Sequence, residues 1–304
     1  MPHRPFSQVI SASRRTELVA HYPDYLARRL RQLGPRNLHS VVVWTKDPAN
    51  LLRHVELRDA LGGVGQVFVH WTVTGLGGTF LEPNVPPPGE QLALLDDILA
   101  YVGDPRRVHW RYDPLISVRL VGGRVARPEG PPSRSATGGP RDLRPPHVTN
   151  VDLDLFRSLA EPFARAGVPA VHTSFVTAYP KVTRRLSAAG VTLQEFTSEE
   201  RRAFLDEMAA AARGLGLELI TCCEPGYPVR RCIDGELLAA LHPAHQPCST
   251  QRAKGQRRLC GCTVSLDVGH YLPCPNGCLY CYARPGLSSA ASAEPAPPGV
   301  DASR

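Results

Sequence analysis

The sequence has 304 residues, 42% of them apolar, and a mean hydropathy of −0.19, which is typical of a globular protein with one large core or two small ones. It contains no apolar run of about eighteen residues, which excludes a membrane-spanning helix. Its first residues also lack the apolar core of a secretory signal, so we expect a cytoplasmic protein with no membrane partner. The net charge is +7, but the excess falls partly in residues 119–144 and 251–258, which have the composition of flexible loops, and it does not by itself predict nucleic-acid binding.

Seven short segments rich in Val, Ile, Thr and aromatic residues predict buried parallel strands. In chain order they are residues 9–13, 40–45, 66–74, 108–112, 170–176, 217–222 and 263–267. Four segments with helical periodicity lie between them, at residues 22–33, 89–102, 152–166 and 197–215. Because strand-then-helix units repeat, we expect an α/β fold with a mainly parallel sheet. Seven strands favour a parallel (βα) barrel or partial barrel over an open sheet.

The sequence predicts one folded domain over residues 1–285, of which residues 222–285 form a cysteine-rich region. An insert rich in Gly, Pro, Ser and Arg at residues 122–146 predicts a flexible surface loop. Residues 286–304 have the composition of a disordered tail. We expect neither segment to contribute to the core.

All nine cysteines lie in the last third of the chain, which in a reducing cytoplasm indicates a metal or cluster site rather than a disulfide framework. The most compact group is Cys274, Cys278 and Cys281, with the spacing C-x3-C-x2-C. Three thiolates this close can bind three irons of a [4Fe–4S] cluster and leave the fourth iron open to a small molecule. Zinc is the alternative, although zinc ribbons favour paired C-x2-C units that supply four ligands.

The spacing of these three cysteines resembles the signature of radical S-adenosylmethionine (SAM) enzymes, in which an aromatic residue, here Tyr280, usually precedes the last cysteine. The resemblance implies that SAM binds the open iron and that one electron cleaves its sulfonium bond. The resulting 5′-deoxyadenosyl radical would abstract hydrogen from a substrate. It also implies a reducing partner such as flavodoxin or ferredoxin.

Segments along most of the chain, about residues 8 to 284 without the insert, resemble a bacterial and archaeal family catalogued as domain of unknown function 1848. They include SASRRTE, VVVWTKDP, WRYDP and CGCTVSLDVGHYLPCPNGCLYCYA. Members of that family share a radical-SAM-like cysteine cluster at the C-terminal end. Radical SAM proteins generally carry the motif after their first strand, so the resemblance implies a circularly permuted barrel with the cluster loop after the last strand.

Four further cysteines, Cys222, Cys232, Cys260 and Cys262, could together ligate a second, auxiliary cluster, because four thiolates satisfy four irons. The alternative is that some of them are buried small residues. Cys223 and Cys248 look less suited as ligands.

In parallel barrels the working groups project from the carboxyl ends of the strands. Cationic side chains there could bind the carboxylate of SAM or an anionic substrate, and carboxylates could accept hydrogen bonds from ribose hydroxyls or the SAM ammonium. The candidates for cofactor binding are Arg14, Arg15, Lys46, Arg111, Asp113, Glu224 and Tyr280. Ion pairs that hold loops together have the same sequence pattern. His70, His109 and His172 lie within predicted strands and are expected to be core histidines satisfied by hydrogen bonds.

The sequence therefore predicts a radical SAM-type enzyme with an unknown substrate and no assignable catalytic residue. One alternative is a non-enzymatic zinc or iron–sulfur module with a basic surface facing nucleic acid. The other is a redox-sensing cluster protein, which would hold iron and sulfide without cleaving SAM.

Overall fold

The computed structural model describes residues 8–121 and 147–283. Ten strands are found in this part of the chain: β1 (Gln8–Ala12), β2 (Leu38–Thr45), β3 (Val67–Thr72), β4 (Val108–Arg111), β5 (Ser117–Leu120), β6 (His147–Thr149), β7 (Ala170–Thr173), β8 (Val191–Leu193), β9 (Glu218–Thr221) and β10 (Leu266–Asp267). The helices are α1 (Leu18–His21), α2 (Pro23–Leu33), α3 (Ala49–Arg53), α4 (Val55–Gly62), α5 (Pro88–Leu92), α6 (Leu95–Val102), α7 (Leu153–Arg165), α8 (Pro180–Ala188), α9 (Ser198–Gly214) and α10 (Gly235–Leu241).

Seven strands form one sheet in the order β10-β1-β2-β3-β4-β7-β9, and every pairing in it is parallel. Each of these strands falls within or overlaps one of the seven predicted segments, so the mixed α/β class and the parallel sheet are confirmed. β10 and β9 are the two ends of the sheet, and no pairing joins them among the described residues. Closure into a barrel stays a prediction.

The last strand of the chain pairs with the first. Ile10 is in register with Leu266 and Ser11 with Asp267. Because β10 and β1 are parallel, their carboxyl ends lie at the same edge of the sheet. The segment that follows β10 carries Cys274, Cys278 and Cys281, so the cysteine loop begins at the edge where the loop after β1 also begins.

The two faces of the large sheet pack against different parts of the chain. One face packs against helices through a continuous apolar core that includes Val41, Val69 and Trp110. On the other face, Phe68 belongs to a separate apolar cluster together with Leu238 of α10 and several of the cysteines. The cysteine-rich region is therefore folded against the sheet.

Some elements were not predicted from the sequence. β6, β5 and β8 form a small antiparallel sheet of three- and four-residue strands, too short for an alternating pattern to show. Residues 89–102, predicted as one helix, are divided into α5 and α6. The helix predicted at residues 197–215 is observed as α9, and Thr197 and Glu200 form a reciprocal capping box at its start.

The predicted insert at 122–146 and the tail at 286–304 lie outside the described residues. Within residues 8–121 and 147–283, none of the helices has the length and apolar character needed to cross a lipid bilayer.

We expect Phe163→Ala to destabilise the protein by about 3–5 kcal/mol, the usual cost of deleting a fully buried aromatic ring. Phe163 of α7 stacks on Trp110 with ring centroids 5.1 Å apart and meets Trp71 edge-on at 5.8 Å. Urea unfolding followed by circular dichroism measures the change. Val55→Ala is the control, because Val55 is 65% exposed and should lose less than about 0.5 kcal/mol. Equal losses in the two variants would contradict this description of the core.

Candidate functional site

The loop that carries Cys274, Cys278 and Cys281 is held against the segment that follows β3. Leu279 N donates to Leu81 O at 3.0 Å, and Asn84 Nδ2 donates to Pro275 O at 2.7 Å. Gly277 adopts a φ of 67°, a left-handed conformation that glycine takes without steric cost. Together these contacts turn the loop so that Cys278 is buried and its two neighbours are half-buried.

Burial raises the pKa of the Cys274 thiol to about 11 and raises the pKa of Cys278 well above its ordinary value. Free thiols in such a place stay protonated, whereas coordination to a metal removes the proton. The nearby charge of Lys46 favours the thiolate form of Cys278. Burial therefore makes Cys274 and Cys278 poor free nucleophiles.

The number of thiols on the loop separates the two kinds of metal site. Three thiolates can bind three irons of a [4Fe–4S] cluster, one at each iron. A structural zinc ion takes four ligands. The donor set of this loop, three thiols, therefore fits the cluster better than the ion.

Lys46 lies next to this loop in a buried hydrogen-bond network. Its Nζ is 2.9 Å from Glu82 Oε1, which also accepts hydrogen bonds from Thr74 and from the hydroxyl of Tyr280. Burial lowers the pKa of Lys46, but the charges of Glu82 and Cys278 outweigh it and raise the pKa overall. Lys46 is thus a cation beside Cys278, paired with Glu82 rather than free for a ligand. Glu82 was not predicted from the sequence as a functional residue. The only indication there was a single carboxylate within an apolar stretch.

Glu17 is a second buried carboxyl group near the cysteine loop that the sequence analysis missed. It is 8% exposed, accepts a hydrogen bond from Lys46 N at 2.7 Å and caps α1 through Ala20 N at 3.3 Å. Burial raises its pKa to about 7. Its charge also contributes to the raised pKa of Cys274.

Arg14 and Arg15, predicted to bind SAM or an anionic substrate, follow β1 and point to different places. The guanidinium of Arg14 lies 5.6 Å from the ring centroid of Trp44 and 3.4 Å from Gln256 Oε1. Arg15 is exposed, lies 5.6 Å from the ring centroid of Tyr271 and donates to Gly269 O at 3.2 Å. Arg15 therefore contacts the start of the cysteine loop, while Arg14 faces the sheet.

Arg111 and Asp113 form an ion pair at the end of β4, and Ser174 donates a hydrogen bond to Asp113. The guanidinium of Arg111 lies 4.9 Å from the Trp44 ring centroid, on the face of the sheet that carries the cysteine-rich region. Glu224 accepts a hydrogen bond from Phe175 N at 2.8 Å, and burial raises its pKa. These predicted ligand-binding groups already have partners within the protein, as the loop-holding alternative requires.

The structure brings the predicted auxiliary cysteines together. The sulfur atoms of Cys222 and Cys232 are 3.9 Å apart, and Cys262 Sγ accepts a hydrogen bond from Cys232 N at 3.3 Å. Cys260 contacts Cys262 through its thiol. Cys223 also belongs to this set, since its thiol contacts that of Cys222. The sequence analysis had considered Cys223 less suited as a ligand.

His70, His109 and His172 come from the neighbouring strands β3, β4 and β7 and lie below this cysteine set. His109 Nδ1 and His172 Nε2 are 2.8 Å apart, and His70 Nε2 donates to the carbonyl oxygen of Cys232 at 2.6 Å. Burial lowers the pKa of all three imidazoles, so they are neutral. All three are buried, but His70 Nδ1 has no partner among the described residues, and the three ligand nitrogens lie within 4.8 Å of one another, close enough to bind one metal ion.

Lys46→Met should destabilise the protein by about 3–5 kcal/mol, because it leaves the Glu82 carboxylate buried without its counter-ion. Adding Glu82→Gln should recover part of this loss, since the remaining amide can still accept from Thr74 and Tyr280. Urea unfolding of the single and double variants tests the pairing. A double variant that is less stable than the Lys46→Met single variant would contradict it.

The buried carboxyl of Glu17 should make the stability of the cluster-free protein depend on pH. Its pKa is about 7 in the folded chain against an ordinary value of 4.5, so the stabilisation is complete below pH 4.5 and is lost as the pH rises through 7. We expect the free energy of unfolding to fall by about 2–3 kcal/mol between about pH 5 and pH 8. Glu17→Gln should flatten this decline in urea titrations. An unchanged decline in that variant would assign it to another group.

Comparison with known proteins supplies a family. No curated protein matches the sequence. Among solved structures, a putative mandelate racemase from Bordetella bronchiseptica RB50, complexed with 2-oxoglutarate/phosphate, aligns at 13% identity with a TM-score of 0.31; the alignment covers 84% of this chain and only 54% of that one. A likeness this weak supports no argument about activity. The model of the family described as Domain of unknown function (DUF1848) matches residues 31–127 and 144–283, and this chain therefore belongs to that family.

Proposed function

We propose that the chain binds a [4Fe–4S] cluster through Cys274, Cys278 and Cys281 and is a radical SAM-type enzyme that cleaves SAM reductively to abstract hydrogen from a substrate. The observation that supports this most is the position of the three thiols. They lie on one glycine-containing loop that directly follows a parallel strand. Parallel α/β proteins build their ligand sites at the carboxyl ends of strands.

When bound, such a cluster supplies one electron to the sulfonium bond of a SAM molecule at its open iron. The protein's residues contribute binding and shielding. Cys278, Leu279 and Tyr280 belong to an apolar cluster with Leu81 and Val85, which keeps water from the inner side of the loop. Lys46 places a positive charge beside Cys278 and so offsets part of the negative charge of three thiolates.

Arg14 and Arg111 are the cationic candidates for binding the carboxylate of SAM or an anionic substrate. Tyr282 lies close to both arginines. Its hydroxyl donates to Arg14 O at 3.0 Å, and the charges of Cys281, Arg14 and Arg111 all affect its pKa. Both guanidiniums also lie over Trp44. Of the two, Arg14 is the one without an ion pair among the described residues, which makes it the better candidate for an anionic ligand.

We expect the protein, reconstituted without oxygen with iron and sulfide and reduced with dithionite, to convert SAM to 5′-deoxyadenosine. Cys278→Ala should abolish this product, because the cluster loses one of its three thiolates. Chromatography of the reaction mixture measures it. Cys248→Ala is the matched control: Cys248 is buried as well, but its thiol donates to Gly235 O at 3.1 Å, outside both cysteine sets.

Full SAM cleavage by the Cys278→Ala variant would contradict the proposal. A reduced cluster that yields no 5′-deoxyadenosine would favour a redox-sensing protein. About one tightly bound zinc without sulfide would favour the non-enzymatic zinc module.

A further inference from the structure

Five of the nine cysteines meet on the face of the sheet opposite the large helical core, although they come from three separate segments of the chain. Their thiols form a series of neighbours, in which each member interacts with the next. In the order of contact they are Cys223, Cys222, Cys232, Cys262 and Cys260. The distance of 3.9 Å between the sulfurs of Cys222 and Cys232 is far too long for a disulfide bond.

The backbone is arranged so that these thiols meet. Cys223 has a φ of 60°, a left-handed conformation that non-glycine residues rarely adopt and that clusters at functional sites. This conformation breaks the extended backbone after β9, in which Cys222 and Cys223 would point to opposite faces. Their thiols contact one another instead. The left-handed conformation of Cys223 thus brings the thiols of Cys222 and Cys223 to the same side of the chain.

The other two segments are joined by backbone hydrogen bonds. Gly261 N donates to Arg230 O at 3.1 Å, and Thr263 N donates to Ile233 O at 2.9 Å. A Cβ atom at Gly261 would lie 2.9 Å from Arg230 O, so the close approach requires glycine between Cys260 and Cys262. The Cys232 N–H donates to Cys262 Sγ at 3.3 Å, as backbone amides do to the ligand sulfurs of iron–sulfur clusters.

Two guanidinium groups face the sulfur atoms. Arg111 Nη1 is 3.7 Å from Cys232 Sγ, and Arg257 Nη2 is 3.5 Å from Cys222 Sγ. On the inner side, His172 Nδ1 is 3.8 Å from Cys232 Sγ. Neutral thiols need no such neighbours, whereas four thiolates around a metal group carry a net negative charge that arginines stabilise.

The number of thiols indicates the kind of metal group. Four thiolates are the complete ligand set of a [4Fe–4S] cluster, with one thiolate on each iron. A structural zinc ion also takes four thiolates, and metal analysis separates the two.

We propose that Cys222, Cys232, Cys260 and Cys262 ligate a second iron–sulfur cluster, of the [4Fe–4S] class, with Cys223 as a fifth thiol at its exposed end. Each ligand thiol loses its proton on binding. Because the protein occupies all four irons, this cluster has no open position for SAM. The site is independent of Cys274, Cys278 and Cys281, so it stands even if that loop binds nothing.

The test removes the first site and counts the metal at the second. The chain with Cys274→Ala, Cys278→Ala and Cys281→Ala, reconstituted without oxygen with ferric iron and sulfide, should hold about four iron and four sulfide per chain, against about eight of each in the unaltered chain. Adding Cys232→Ser should reduce both to background, while adding Cys248→Ser should not. Colorimetric iron and sulfide analysis and the absorption near 400 nm give the counts.

A triple variant that keeps the circular dichroism and melting temperature of the unaltered chain but takes up no iron and sulfide would overturn the proposal. So would about one zinc per chain that iron and sulfide do not replace. If the triple variant fails to fold, Cys232→Ser alone decides the matter: it should hold about four iron fewer per chain than the unaltered chain, and an unchanged iron content would overturn the proposal. Because these counts do not depend on 5′-deoxyadenosine, they remain separate from the test of SAM cleavage.

Discussion

One carboxylate at the joint between the first and last strands fixes the start of the cysteine loop. Asp267, at the end of β10, accepts hydrogen bonds from Ser11, from Ser13 at 2.6 Å and from the backbone of Arg14 and Gly269. A two-residue strand cannot hold its register by backbone pairing alone, so these contacts fix β10 beside β1. The cysteine loop starts from this joint, and its hydrogen bonds with Leu81 and Asn84 hold it in place beyond the joint.

The two cysteine sets lie near the same part of the large sheet. The loop after β10 packs on the apolar segment that follows β3, with Lys46 beside Cys278. The five-thiol set covers the middle of the sheet, with Arg111 at its edge. Trp44 lies between them, stacked on His70 and approached by two guanidiniums. Both guanidiniums thus lie in the same part of the sheet as the cysteine sets.

The strands of the large sheet were predictable because most of them lie in short segments rich in Val, Ile, Thr and aromatic residues. The cysteine motif was predictable because its spacing is local. The partners of the charged side chains predicted to bind a ligand were not predictable. Lys46, for example, pairs with Glu82, 36 positions away, and only tertiary contacts decide such pairings. The sequence also did not show that Cys223 belongs to the five-thiol set, because this depends on the left-handed backbone conformation of Cys223 itself. The small antiparallel sheet lacked any periodic signal. Barrel closure and circular permutation remain predictions.

The central claim is that the loop of Cys274, Cys278 and Cys281 holds a cluster with one open iron. Electron paramagnetic resonance of the reduced, reconstituted chain, recorded with and without SAM, tests it most directly. The account predicts a cluster signal that changes on addition of SAM, persists in Cys232→Ser and is lost in Cys278→Ala. A signal that SAM leaves unchanged, or one that survives Cys278→Ala with its response to SAM intact, would contradict the account.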